Sequence, residues 1–163
     1  MAHQRADSRL THLLDADLRN LHSSGWCPVP QQLTGVAEGL VLTQAASRAR
    51  IWRGKVFDRG PGNTVIGLNR IGLGSLESWR YRFTARIGRS LFADRDVLLL
   101  DHYNQDNPFY VRRFHDELVQ IDQQRFLATS HYRWRGQWRF LCYFALLVPE
   151  DRSSRPGAIE AEF

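Results

Sequence analysis

Lysine is nearly missing from this chain of 163 residues: Lys55 stands alone against a background of arginine, so the net charge of +5 is carried by guanidinium groups. Those arginines are spread along the whole sequence and form no block, which argues against a nucleic acid as the principal partner. Cysteine is scarce as well. Cys27 and Cys142 lie far apart and form no Cys-Cys metal signature, and no disulfide framework can be built from them. No apolar run approaches the roughly 20 residues that span a bilayer, and the first residues, MAHQRADSRLTHLL, have no apolar signal core, so no membrane partner and a cytoplasmic location are expected. Glycine-rich phosphate loops, nucleophile elbows and His-x-His or His-x-x-x-His pairs are also lacking. No cofactor and no metal are therefore assigned.

What the chain does have is a period of two. From Thr34 onward, runs of aromatic and β-branched residues at 34–43, 50–58, 63–71, 79–89, 96–103, 112–121, 125–133 and 138–147 are separated by short stretches with Gly, Pro, Asn or Asp. The last pair is the most informative. In RFLATSHYRWRGQWRFLCYFALLV (125–148) two strand-like runs meet at Arg135-Gly136, and the second is apolar on both faces towards its end. A strand covered on both sides belongs to a barrel or a sandwich, and eight short antiparallel strands predict a closed up-and-down barrel in one domain.

Two segments stand apart from that pattern. Leu10, Leu13, Leu14, Leu18 and Leu21 have helical spacing, which predicts an amphipathic helix over 8–23, capped by Asp7 or Ser8 and stopped by Gly25 and Pro28. The GWCPVPQQ connector is expected to cross the surface, and the helix's leucine stripe must be buried at the mouth, the bottom or the outer wall of the barrel; over the mouth it would serve as a lid. The second segment, NPFYVRRFHDELVQID, has helical spacing too, at Val111, Phe114, Leu118 and Ile121; an even strand count and the turn-like Asp122-Gln123-Gln124 favour a strand. The tail from Pro149 is polar and expected to be loose.

Four pieces, WRGKVFD (52–58), LLLDHY (98–103), RRFHDEL (112–118) and CYFALL (142–147), resemble small bacterial lipocalin-like (calycin-type) proteins. The resemblance covers residues 50–148 and implies a lipocalin-like barrel around a small molecule. In overall architecture the chain is also similar to barrel-type polyketide cyclases.

Candidate chemistry follows from which face of each strand turns inward. Asp101 and Tyr103 share a face with Val97 and Leu99; turned inward they would serve as a catalytic acid or base and a phenol, turned outward Asp101 would pair with an arginine. Asp116 and Glu117 must face opposite ways, and the resemblance favours Glu117 in the lumen as a third catalytic group. Lys55, on the same face as Phe57, would be a nucleophile, an anion holder or a snorkelling wall residue. By strict alternation Trp52 and Lys55 face opposite sides, and Trp52 is kept as a ligand-binding candidate. Tyr81 and Phe83 form an aromatic inner face with Trp79, Ala85 and Ile87, and His131, Tyr132 and Tyr143 complete the ligand-binding set. The expected function is the enclosure of an apolar or polyunsaturated small molecule, either by a cofactor-free cyclase or isomerase or by a carrier that only binds. Beyond that hydrophobic ligand, the partners the sequence admits are limited to a second copy of the chain, a homodimer.

Overall fold

The computed structural model describes residues 9–43 and 51–149. Eight antiparallel strands close into a barrel in chain order: β1 (Gly35–Val41), β2 (Trp52–Arg59), β3 (Val65–Leu73), β4 (Leu76–Arg89), β5 (Asp96–Asp101), β6 (Phe114–Gln120), β7 (Arg125–Trp134) and β8 (Gln137–Leu147). Closure comes from β1, whose Glu38–Val41 pair with Phe144–Leu147 of β8. The expected eight-stranded up-and-down barrel is thus observed. The ambiguous segment is strand, introduced by a single 3-10 turn at Val111–Arg113. Its apolar residues serve both surfaces: Leu118 points into the barrel and Val119 out of it.

Two clusters organise the packing. The inner one draws on all eight strands, including Ala37, Phe57, Val65, Phe83, Leu98, Leu118, Phe126 and Leu146. The outer one joins Leu10 and Leu18 to Val97, Leu99, Val119, Leu127, Tyr143 and Ala145, on the opposite faces of neighbouring strands. A strand apolar on both faces is covered by the lumen on one side and by the amino-terminal segment on the other.

That segment is not one helix and not a lid. A 3-10 turn (Leu10–His12) is followed by an extended Leu13 and then by α1 (Asp15–Ser24), whose start is held by Asp17 accepting from the Leu14 N–H at 3.1 Å. The break leaves Leu14 in solvent and lays Leu10 and Leu18 against the outer wall. Asp7 and Ser8, expected as caps, lie outside the described residues. Gly25 ends the helix where the chain touches β6; a Cβ there would meet Val119 Cγ2 at 2.6 Å, so the close approach requires glycine. The connector then plugs the barrel and does more than cross its surface: Trp26 bridges to Gln120, Pro30–Gln32 form a 3-10 turn, and Leu33 is buried in the inner cluster beside Phe57 and Val65. One end of the barrel is closed in this way. The tail expected to be loose lies outside the described residues from 150 onward.

The β7–β8 hairpin turns at Arg135 (φ 49°) and Gly136 (φ 80°), the pair of positive φ values that a two-residue primed turn needs. Among the described residues, no helix is long and apolar enough to cross a membrane.

Candidate functional site

Towards the end opposite Leu33 the barrel holds a cavity of about 410 Å³, with walls that include Trp52, Ile71, Val111, Phe114 and Phe144. Its floor is polar and built around Lys55. The ammonium Nζ lies 3.1 Å from Asp116 Oδ2, 2.9 Å from Asn69 Oδ1 and 3.5 Å from His102 Nε2, and both members of the ion pair are at most 5% exposed. Three acceptors match the three ammonium hydrogens, and the rings of Phe83, Phe144 and Trp52 surround the charge at 4.7, 5.6 and 5.9 Å.

The network fixes its own orientations. Asn69 Oδ1 accepts from Lys55 and from Trp52 Nε1 (3.1 Å), so its amide nitrogen faces the Tyr81 carbonyl at 3.0 Å and His102 Nε2 at 3.3 Å. With Lys55 and Asn69 both donating to Nε2, the imidazole proton sits on Nδ1, which has no hydrogen-bond partner. Asp116 is completed by the Ser130 hydroxyl, which donates to Oδ1 at 2.7 Å.

Burial works against every charge here. It pulls Lys55 below the usual lysine range, opposed by Asp116. It would raise Asp116, but the Lys55 ammonium and the Ser130 hydroxyl outweigh it and hold the carboxyl below its ordinary value. The matched acceptors around Nζ favour the charged pair, ammonium with carboxylate. His102 is drawn down to about 4 by burial and by Lys55 and is neutral at pH 7. Cys142, beside the same carboxylate, is pushed up to about 12 by burial and Asp116.

Bulges put these residues together. The β2–β3 register slips between Trp52 and Gly54, with Gly54 at φ 133°, and this turns Trp52 into the lumen beside Lys55, its ring lying over Gly39. Strict alternation had them on opposite faces. A second slip, between Leu68 and Asn69, leaves Tyr81 unpaired at φ 63° with its carbonyl on Asn69. Behind the site, buried Asn107 holds the β5–β6 connection: its amide donates to the Arg82 and His102 carbonyls, and its oxygen accepts from the Arg82 N–H.

The sequence-based candidates divide between the two surfaces. Trp52, Lys55 and Tyr81 line the cavity, Phe83 packs beside Lys55, and Tyr132 lies near the mouth against Phe114 at 5.0 Å. The remaining inward assignments are corrected. Asp101 shares its face with Val97 and Leu99, which pack outside under the amino-terminal segment, because Leu98 and Leu100 take the inner positions. Tyr103 is 76% exposed, and both residues lie in a separate outer groove of about 820 Å³. Glu117 also faces outward. It is buried because it anchors the β4–β5 connection, accepting from Ser90 Oγ at 2.5 Å and the Leu91 N–H at 2.7 Å. Its neighbour Asp116 takes the lumen. His131 is outside, stacked on Phe92 at 4.1 Å, and Tyr143 is outside near His22.

Asn69, His102, Ser130 and Cys142 were not among the candidates. Their signal was parity: each lies an even number of residues from an inner apolar position, such as Val65, Leu100, Ala128 or Phe144. Among the described residues, no three His, Cys, Asp or Glu side chains gather as a metal site would require.

No family model, curated protein or solved structure matches the chain. The barrel suggested by the lipocalin-like resemblance stands on its own pairing, and the functional reading rests on the lumen.

Proposed function

We propose that this is a lipocalin-like binding barrel that holds one neutral, mostly apolar small molecule, with the ligand's polar end resting on the Lys55–Asn69–His102 floor. The observation that carries the reading is the closed ion pair at the base of an apolar cavity of about 410 Å³. A cavity of this size is in the range that encloses small ligands. Lys55 is already matched by Asp116, so an incoming carboxylate would be buried without a counter-ion, whereas an alcohol, ketone or aldehyde brings no charge to neutralise.

A second reading, a cofactor-free isomerase or cyclase in a single compact unit, is favoured by the free donor on that floor. The unpartnered Nδ1–H of His102 could polarise a carbonyl, beside a Lys55 ammonium whose hydrogens are already taken, while the aromatic wall holds the substrate in a reactive shape. Carrier and enzyme share the same binding step. Titration with the neutral dye Nile red, followed by displacement with decanol or decanoate, tests it. The expected result is saturable binding in which the alcohol competes at least about tenfold better than the acid, the factor that corresponds to about 1.4 kcal/mol of unpaired-charge penalty. Tighter binding of decanoate would refute the neutral-ligand reading. Mass spectrometry of an organic extract of the purified protein would then identify the natural ligand class.

A further inference from the structure

In an up-and-down barrel, alternate connections lie at the same end, so the β3–β4, β5–β6 and β7–β8 connections and Ile51, just before β2, share the rim at the end opposite Leu33. Each of these connections exposes a large apolar side chain. Ile51 is 52% exposed before β2, Leu73 and Leu76 are 72% and 79% exposed at the β3–β4 turn, and Trp134 is 51% exposed at the β7–β8 turn. The β5–β6 connection shows Tyr103, Phe109 and Tyr110. Ile51 and Tyr110 also line the cavity, so the apolar rim runs into the lumen. At the closed end the β2–β3 and β6–β7 connections expose no large apolar residue; Leu91 and Phe92 of the β4–β5 connection and Trp26 and Val29 of the plugging connector do, without the ring of exposed arginines found at the other rim.

The same rim is basic. Arg80, Arg113, Arg133, Arg135 and Arg139 are exposed there, and among the described residues none has a carboxylate partner. The carboxylates nearby are largely engaged: Glu77 binds Arg70, Asp106 lies 3.9 Å from Arg82, and Asp101 accepts the Tyr103 N–H. The outer groove below this rim is lined by further arginines, Arg86 and Arg112 among them.

We propose that the open end docks on an anionic lipid bilayer, with the loop tips entering the headgroup region and the arginines meeting lipid phosphates, so that an apolar ligand can pass between bilayer and lumen. Docking of this kind needs no membrane-spanning segment. Charge complementarity fixes the sign of the partner. The aliphatic tips favour a bilayer over a nucleic acid: Ile51, Leu73 and Leu76 suit acyl chains and give a base nothing to stack on, whereas the rings of Tyr103, Phe109, Tyr110 and Trp134 suit either, so the salt-resistance of DNA capture decides between them. The ligand-transfer part rests on the lumen reading, whereas the docking part does not.

Sedimentation with phosphatidylcholine vesicles, with and without phosphatidylglycerol, and without added ligand, tests the docking. Partition onto the anionic vesicles should exceed that onto the neutral ones by about tenfold or more, the effect expected of a few arginines at the surface. Leu73→Ser with Leu76→Ser, and separately Arg133→Glu with Arg135→Glu, should each reduce it at least several-fold. In vesicle-free buffer both double variants should bind Nile red as the parent does, which keeps a failure of docking distinct from a failure of the lumen. Equal partition on both vesicle types, or variants that sediment like the parent, would overturn the proposal. So would capture of single-stranded DNA that survives salt, or a dimer in light scattering that Leu73→Ser with Leu76→Ser dissolves.

Discussion

Breaking the Lys55–Asp116 pair from either side should cost far more than removing both partners at once. The two charges are 3.1 Å apart, with side chains 2% and 5% exposed. Asp116→Ala leaves an ammonium buried with only Asn69 Oδ1 and His102 Nε2 as acceptors, and the expected loss is about 3–5 kcal/mol, a large part of the roughly 5–15 kcal/mol that a domain has in total. Lys55→Met should cost somewhat less, because Asp116 can take up a proton. The double replacement Lys55→Met with Asp116→Leu removes both desolvation penalties. It leaves the Ser130 hydroxyl without its acceptor, at about 1–3 kcal/mol, against a gain of about 1–4 kcal/mol from apolar replacement, so its stability should lie close to that of the parent. Urea unfolding of the four proteins gives the coupling directly as a double-mutant cycle. Lys55 holds the folded-state carboxyl of Asp116 below its ordinary value of 3.8, so the contribution of the pair is complete above that value. It is lost as the pH falls through the lowered folded value, and the gap between the parent and Lys55→Met should close in that acid range. Single variants costing under about 1 kcal/mol, or a double variant whose loss is the sum of the singles, would refute the account of the floor as one coupled pair.

Three further outcomes follow from the outer wall and the lumen. Leu18→Ala, at a fully buried contact between α1 and the barrel, should lower stability by about 2–5 kcal/mol in the same urea assay. Removing residues 1–25 should destabilise the barrel in thermal unfolding, and a truncated protein that stays as stable but loses Nile red would restore the lid. The Cys142 thiol, pushed up to about 12, should be thiolate in only about one molecule in 10,000 at pH 8 and label with iodoacetamide mainly on unfolding. Fast labelling of the folded protein at Cys142, mapped by peptide mass spectrometry, would contradict the upward shift of this half-buried thiol.

Much of the architecture could be read directly from residue order. Alternation located seven of the eight strands, the Arg135-Gly136 pair located a two-residue hairpin, and the even strand count with the lipocalin-like resemblance decided for strand at Phe114–Gln120 against its helical spacing. The candidate site was legible in part. Lys55, Trp52 and Tyr81 were ligand-binding candidates and do line the cavity, although alternation had put Trp52 and Lys55 on opposite faces, whereas Asp101, Tyr103, Glu117, His131 and Tyr143 were placed on the wrong surface.

The errors share one physical cause. Alternation says that Asp116 and Glu117 face opposite ways but carries no sign, and in a barrel whose outer wall is also covered by Leu10 and Leu18 both faces are apolar, so hydrophobicity cannot supply it. The bulges at Trp52/Gly54, at Leu68/Asn69 opposite Tyr81, and at Ser130/His131 each add a residue to one strand, and each reverses parity beyond it. The sequence by itself determined the strands, their order and the tight turn, because these depend on neighbours along the chain. Which face became the lumen, and that Lys55, Asn69, His102, Asp116 and Ser130 meet there from five different strands and strand ends, only the closed barrel decided, because that depends on register between segments up to 75 residues apart.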